Sequence, residues 1–331
     1  MLSVNTAQGL SAPLFHSLTL ALLAALASWL LLHWLIPVLR RRLPDAPNAR
    51  SAHQRVTARG GGMVFVLIAA LASLVWGPAI GGIAWLPLLA LPLAVMGLVD
   101  DRFNLPAPVR FVVQVATAVV LLWLPMTVSF WPLPLLLIPV VLLSIVAVIN
   151  FTNFMDGLDG LVAGCMAVAI GALAIALAAP WPLWALVGSL LGFLLWNWSP
   201  AKVFMGDVGS TFLGAVFAGL VLQARSCPEA FGLLLVATPL LGDACLCVPR
   251  RLLAGQRVFQ AHRLHLFQRL HQAGWSHARV SSLYIAATAA LALALLAGGW
   301  PWVAGLAAAE LLVGIWLDQR MAVPFAVASR S

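Results

Sequence analysis

The sequence predicts an all-α, polytopic integral membrane protein of about eleven transmembrane helices, and three observations carry that prediction. Of its 331 residues 63% are hydrophobic and only 8% charged, against roughly a quarter charged in a soluble globule. Too little polar surface is available to cover a water-soluble fold. The apolar residues gather in runs near the ~20-residue length that a helix needs to cross a bilayer. The lysines and arginines lie in the connectors between those runs, concentrated in alternate connectors, as the positive-inside rule requires of a membrane protein.

In chain order the runs lie at 13–39, 61–78, 81–98, 110–127, 132–150, 160–179, 181–198, 209–224, 229–248, 281–298 and 301–317, separated by Pro, Gly and polar clusters. The first has no Lys or Arg before it and continues to about Val38, too long for a cleaved signal peptide. It is expected to remain as the first helix, with the N-terminus periplasmic. The breaks at Pro180 and at Trp300-Pro301 are so short that they predict tight hairpins on one side of the membrane. Alternating the helices from an outside N-terminus then puts every one of the 18 lysines and arginines except Arg225 on the opposite face. That face is expected to be cytoplasmic and to hold the C-terminus. The net charge of +8 is thereby explained by topology, and nucleic-acid binding is not expected. The chain reads as a single membrane domain, 1–331, with a site formed by the cytoplasmic loops 40–60, 99–109, 150–160, 199–209 and 249–280. Cys165, Cys227, Cys245 and Cys247 make no CxxC pair and are expected to be packing residues.

The acids follow the same geography. Asp45, Asp100, Asp101, Asp156, Asp159 and Asp207 all fall at or beside the cytoplasmic helix ends. An ionisable group at mid-membrane costs about 2.5–3.5 kcal/mol or more, so this gathering predicts an aqueous site cut into one membrane face. Asp243 and Glu310 lie inside apolar runs, where a structural partner and a functional role weigh equally.

The segment Asn150-Phe-Thr-Asn153-Phe-Met-Asp156-Gly-Leu-Asp159-Gly160 places four oxygen-bearing side chains at intervals of three residues. On a helix they would share one face. Helix capping accounts for one such residue, not four. Oxygen donors without cysteine suit a hard cation, and Mg²⁺ takes one or two protein oxygens and completes its shell with water and phosphate. Asp207, in Phe204-Met-Gly206-Asp207-Val-Gly209-Ser210, stands where flanking glycines expose a carboxylate and backbone N–H groups at a helix start, and is the second expected metal ligand beside Asn153. Asp100 and Asp101 are consecutive and followed by Arg102; a helix aims the two carboxylates about a quarter-turn apart, so at least one faces the site. His262-Arg263-Leu-His265-Leu-Phe-Gln268-Arg269 offers forked guanidinium donors and imidazoles for phosphate oxygens. His271 and His277 are expected to be solvated loop residues.

The ordered motifs DDR, NxxNxxDGLDG, GDxGS and the His/Arg loop resemble the polyprenyl-phosphate N-acetylhexosamine-1-phosphate transferases, glycosyltransferase family 4, over roughly residues 40–275. The stretch Asp45-Ala-Pro-Asn48-Ala-Arg50-Ser51-Ala-His53, followed by Arg59-Gly60-Gly61-Gly62, is similar to that family's first cytoplasmic loop. The resemblance implies Mg²⁺-dependent transfer of N-acetylhexosamine-1-phosphate from a UDP-sugar to undecaprenyl phosphate, releasing UMP, at the bacterial inner (cytoplasmic) membrane. It implies Asn153 and Asp207 as metal ligands and Asp100, Asp101, Asp156 and Asp159 as catalytic residues, Asp100 assisting the attacking lipid phosphate and Asp156 and Asp159 shaping the nucleotide site. It places Asn48, Arg50, His53, Arg59, Asn150, His262, Arg263, His265 and Arg269 on the substrates. Two departures are visible. The first loop reads Val56-Thr57-Ala58-Arg59, where the family tends to have prolines beside the threonine. The His loop lacks the consecutive histidines of the muramoyl-pentapeptide branch and resembles the branch initiating O-antigen and related lipopolysaccharide synthesis.

The implied partners are therefore a UDP-N-acetylhexosamine, undecaprenyl phosphate and membrane lipids, with Mn²⁺ as an alternative ion and a homodimer as a candidate assembly. The reading from another class is a cation-coupled membrane transporter. Carriers place coupling residues near the midplane, often in paired broken helices of two repeated halves, whereas these acids sit at one edge.

Overall fold

The computed structural model describes residues 5–47, 55–123, 135–256 and 262–329. Helix α1 (Asn5–Arg42) leads into a short antiparallel pair, β1 (Pro44–Asp45) with β2 (Thr57–Ala58), the one departure from an all-α chain among the described residues. There follow α2 (Met63–Ile80), α3 (Leu86–Leu89), α4 (Leu91–Phe103), α5 (Ala107–Leu122), α6 (Ile138–Phe154), α7 (Leu161–Ala176), α8 (Trp181–Asn197) and α9 (Asp207–Val221). The chain ends in α10 (Cys227–Leu235), α11 (Thr238–Leu253), α12 (Leu266–Gln272), α13 (His277–Gly298), α14 (Trp300–Arg320) and α15 (Phe325–Ala328).

Within the described residues, each apolar run of the sequence overlaps helical structure. Five described stretches, within α1, α2, α3–α4, α13 and α14, are long and apolar enough to cross a membrane; α10 and α11, bent by 88° at a short break, make a sixth if taken as one broken span. Helices α5 to α9 are shorter and apolar. Of these, α7, α8 and α9 form the inner layer. Along α7 and α9 nearly every side chain is buried, while α1, α2 and α14 leave large apolar groups such as Leu22, Trp34, Val75 and Leu312 exposed. An aqueous protein would bury these; in a bilayer that face needs no further cover.

Small residues set the spacing of the inner layer. A methyl group at Gly188 would overlap the Ala21 carbonyl, and one at Gly192 that of Ala25, so α8 lies directly on the α1 backbone. A Cβ at Gly214 would come within 2.8 Å of Ile149 Cα, which seats α9 against α6. Close backbone approach through small residues is the usual means of helix association where lipid supplies no hydrophobic drive.

The chain's reversals bring the end of α4, the start of α5, the end of α6, the start of α7, the end of α8 and the start of α9 to one end of the bundle. The β1–β2 pair joins them there: Phe204 N–H donates to the Ala58 carbonyl at 2.8 Å, Gly61 N–H to Phe204 O at 2.9 Å and Gly62 N–H to Met205 O at 3.0 Å.

Candidate active site

Arg59 lies at the centre of this end. Pairing of the 58–62 and 203–206 segments sets it beside the first turn of α9, where its Nε lies 2.7 Å from Asp101 Oδ1 and its Nη2 lies 3.0 Å from Asp207 Oδ1. One planar guanidinium thus bridges two carboxylates from distant helices. Asp101 in turn accepts the backbone N–H groups of Asp207 (3.0 Å) and Val208 (3.4 Å), satisfying donors that a helix start leaves without intrahelical partners. Gly206, at φ +75°, makes the turn into α9. That backbone conformation disfavours any side chain, and the Asp101 carboxylate occupies the space where a Cβ would go.

The neighbouring Asp100 turns aside, as its place on helix α4 dictates. Its Oδ2 pairs with Arg110 Nη1 at 3.0 Å and its Oδ1 accepts the Leu105 N–H. The Asp207 carboxyl interacts with both the Asp100 and the Asn153 side chains. Side chains from three segments therefore meet at Asp207 on α9: its own carboxyl, Asp100 on α4 and Asn153 on α6.

The expectation that Asn150, Asn153, Asp156 and Asp159 share a helical face is corrected. Helix α6 ends at Phe154, and the two aspartates lie in the turns that follow. Asn150 is also bound elsewhere, since it exchanges hydrogen bonds with Gln114 (2.8 and 3.2 Å) and so ties α6 to α5. Asp156 faces the Arg59 cluster. Its burial is the largest influence; Arg59 works against it, while Asp207, Asp101 and Asp159 add to it, and its pKa is pushed up to about 7. Asp159 behaves oppositely. Burial would raise its pKa, but His277 Nδ1 at 3.2 Å and the Ala201 N–H at 3.1 Å hold it below the usual carboxylate range. Gly160, at φ +74°, donates its N–H to Asn197 Oδ1 at 3.0 Å, which closes the turn on the end of α8.

The His/Arg loop is split by the structure. His265 is 1% exposed and Arg269 2% exposed, so both side chains are enclosed by protein, Arg269 at the edge of a cavity between α11, α13 and α14. His265 Nδ1 lies 3.4 Å from Asp243 Oδ1, and Asp243 also accepts the N–H groups of Leu266 (2.8 Å) and Phe267 (3.0 Å) and the Tyr284 hydroxyl (2.8 Å). Burial disfavours a charged His265, yet the Asp243 carboxylate and Cys247 outweigh it and its pKa is raised to about 9. Arg269 bonds the carbonyls of Leu264 (3.1 Å) and Val323 (2.8 Å) and pairs with Asp318. In the structure these two residues, expected to contact the substrates, fasten α12 to α11, α13 and α14. His262 and Arg263 remain half-buried. Burial first, then the charges of His265 and Arg251, push the His262 pKa down to about 3. Helix α12 rests on the aspartate turn, because a Cβ at Gly157 would stand 3.1 Å from the Phe267 ring. Asn48, Arg50 and His53 lie outside the described residues.

Residues 83–225, which carry Asp100 through Asp207, match the model of the family described as Glycosyl transferase family 4. A probable undecaprenyl-phosphate N-acetylglucosaminyl 1-phosphate transferase of Bacillus subtilis is 30% identical over 264 residues, covering 73% of each chain. The chain belongs to the polyprenyl-phosphate N-acetylhexosamine-1-phosphate transferase family, glycosyl transferase family 4. A phospho-N-acetylmuramoyl-pentapeptide-transferase of Synechococcus is 31% identical over 85% of this chain and 90% of its own. An undecaprenyl-phosphate alpha-N-acetylglucosaminyl 1-phosphate transferase of Yersinia pestis is 29% identical over 76% and 75%. Overall identity therefore does not separate the branches of the family.

For this glycosyltransferase, three groups at the site escaped the sequence reading. Arg110 looked like one more topology-setting cation but neutralises Asp100. His277, expected to be solvated, sits against Asp159 with a side chain 12% exposed, and His271 Nδ1 lies 2.8 Å from the Trp275 carbonyl oxygen. Asn197 had no motif to mark it. Gly97 is a fourth position of consequence, since a methyl group there would overlap the Asp207 backbone. Gly97→Ala is expected to displace the start of α9 and lower turnover at least about tenfold, with a loss of about 1–3 kcal/mol typical of overpacking; thermal unfolding and activity measured on the same preparation check both.

Proposed function

We propose that this protein transfers N-acetylhexosamine-1-phosphate from a UDP-sugar to undecaprenyl phosphate, releasing UMP, as the initiating step of O-antigen, lipopolysaccharide or a related cell-surface polysaccharide. The observation that carries the reading is the convergence of Arg59, Asp100, Asp101, Asn153, Asp156 and Asp207 at one end of the bundle in a member of this family. Relatives named for both N-acetylglucosaminyl and muramoyl-pentapeptide transfer support the phosphosugar class. The separated histidines of His262-Arg263-Leu264-His265 favour the O-antigen-initiating branch over the muramoyl-pentapeptide branch.

The residues present fit a hard divalent ion. Four carboxylates, Asp100, Asp101, Asp156 and Asp207, stand against the two guanidiniums of Arg59 and Arg110, and Asp207 and Asn153 each have a side-chain oxygen to offer an ion. Asp207 and Asn153 would hold Mg²⁺, or Mn²⁺ in its place, leaving positions for phosphate oxygens. When bound, the ion supplies charge neutralisation for the diphosphate. The protein's own contribution is positional. Asp101 and Arg59 fix the start of α9, Asp100 is held by Arg110 and Leu105, and Asp159 keeps the 155–160 turn closed against α8 and α13 through Ala201, His277 and the Ser281 hydroxyl on its carbonyl. A lipid phosphate is nucleophilic near neutral pH, so in-line placement and charge stabilisation carry most of the barrier reduction. Between α11, α13 and α14 an apolar cavity of about 470 Å³, lined by Leu246, Leu264, Leu283 and Leu311 among others, provides shelter for part of an isoprenoid chain.

Purified protein assayed with a panel of UDP-N-acetylhexosamines, undecaprenyl phosphate and Mg²⁺ tests the reading. Mass spectrometry is expected to find a lipid-linked diphosphate sugar with at least one donor; no such product with any donor contradicts it.

The site is proposed to face the cytoplasm of the inner membrane, across eleven spans, with the N-terminus periplasmic. Cys227, exposed and two residues beyond Arg225, gives an internal reference on the opposite side. With Cys245 replaced, a membrane-impermeant maleimide added to intact cells is expected to label Cys227 but not Lys202→Cys or Ala273→Cys. Labelling of all three from outside would overturn the orientation.

A further inference from the structure

We propose that Cys247, His262 and His265 form a thiolate–imidazole site for a Zn²⁺-class ion, which fastens the segment 262–272 to α11. One ligand atom from each of the three residues can be chosen so that all lie within 4.8 Å of one another, close enough to meet a common ion after small rotations. The two imidazoles are already stacked, with ring centroids 4.9 Å apart. His265 is buried, and neither its Nδ1 nor its Nε2 has a hydrogen-bond partner. A buried imidazole nitrogen left in that state needs an explanation, and the Cys247 thiol is the other polar neighbour of the ring.

The surroundings match what imidazole ligands require. Asp243 Oδ1 lies 3.4 Å from His265 Nδ1, on the far side of the ring from Nε2. The two atoms do not form a hydrogen bond, but a small rotation of the ring would let Asp243 accept from Nδ1 and leave Nε2 as the ligand, the usual orienting arrangement behind metal-bound histidine. Asp243 is itself held by two backbone N–H groups and the Tyr284 hydroxyl, so the relay is rigid. One sulfur and two nitrogens select a soft or borderline ion over Mg²⁺, and three protein ligands leave a fourth position open. The packing role expected of Cys247 from the absence of a CxxC motif is thereby extended. Its partners lie 15 and 18 residues further on, in a loop that only the fold brings back. Binding would release the Cys247 thiol proton, and any proton on His265 Nε2, to solvent.

The test uses full-length protein in detergent, stripped with a chelator and held in excess Mg²⁺ so that oxygen-donor positions are occupied. Titration with Co²⁺ is expected to give one thiolate-to-cobalt charge-transfer band in the near ultraviolet, bleached by one equivalent of Zn²⁺. The band should vanish in Cys247→Ala and persist in Cys245→Ala. Absence of the band in the unmodified protein, or its survival in Cys247→Ala, overturns the site. Cys247 is buried, so its substitution can disturb folding; His262→Ala, at a half-buried loop position, is the independent check. It should weaken Co²⁺ binding at least about tenfold, and unchanged affinity there overturns the proposal equally.

Discussion

Arg59→Lys is expected to lower turnover about 100-fold, the upper range for loss of a group that orients metal ligands, while the protein stays folded. The native guanidinium holds Asp101 and Asp207 at once, through two different nitrogens at 2.7 and 3.0 Å. An ammonium is a single point of charge and cannot reproduce that fork. Net charge is unchanged, so a general electrostatic effect would leave activity nearly intact, whereas a positional role predicts a fall in kcat. Asp101 keeps its two backbone donors from Asp207 and Val208, and α9 is buried along its length; the thermal midpoint should therefore move little. Steady-state kinetics on the purified variant check this, and a loss smaller than threefold would mean that Arg59 is only a topology-setting cation.

Asp207→Asn should be more damaging still. The substitution preserves shape and leaves the backbone N–H of residue 207 donating to Asp101, so the helix start survives. It removes the carboxylate that sits between Arg59, Asp100 and Asn153. If that carboxylate holds the divalent ion, several kcal/mol of charge stabilisation is lost, about a thousandfold or more at 1.4 kcal/mol per decade. The residual activity should also require more Mg²⁺. Turnover measured across a Mg²⁺ series, with a circular-dichroism control for helix content, separates this from unfolding. Undiminished turnover, or an unshifted Mg²⁺ requirement, would remove Asp207 from the ion site.

Why these residues meet is visible only in part from the sequence. The helices were legible because a bilayer imposes length and composition on each segment independently of its neighbours, and among the described residues each apolar run overlaps helical structure. The bend between α10 and α11 was not, since 229–248 reads as one continuous apolar run. The aspartates were legible as a class, as charges at helix ends that the membrane would otherwise exclude. Their partners were not. Arg59 and Asp207 are 148 residues apart, and Asn150 and Gln114 are 36 apart, so each pairing is decided by which helices pack together. The motif from His262 to Arg269 was legible only as a set of phosphate donors; α12 begins only at Leu266, and Arg269 is turned inward to Asp318 and Val323. Local periodicity cannot distinguish a short helix laid on a protein surface from one drawn into it. The β1–β2 pair, only two residues on each side, is too short to leave an alternating pattern.

The identity of the nucleotide released is the most direct test of the central claim that this site transfers a sugar phosphate. With a UDP-N-acetylhexosamine donor, undecaprenyl phosphate and Mg²⁺, chromatography of the aqueous phase should show UMP, formed one for one with lipid-linked sugar and absent when the lipid phosphate is withheld. Release of UDP instead would mean transfer of the sugar without its phosphate, and formation of neither nucleotide would mean that the cluster around Arg59 and Asp207 does not catalyse this reaction.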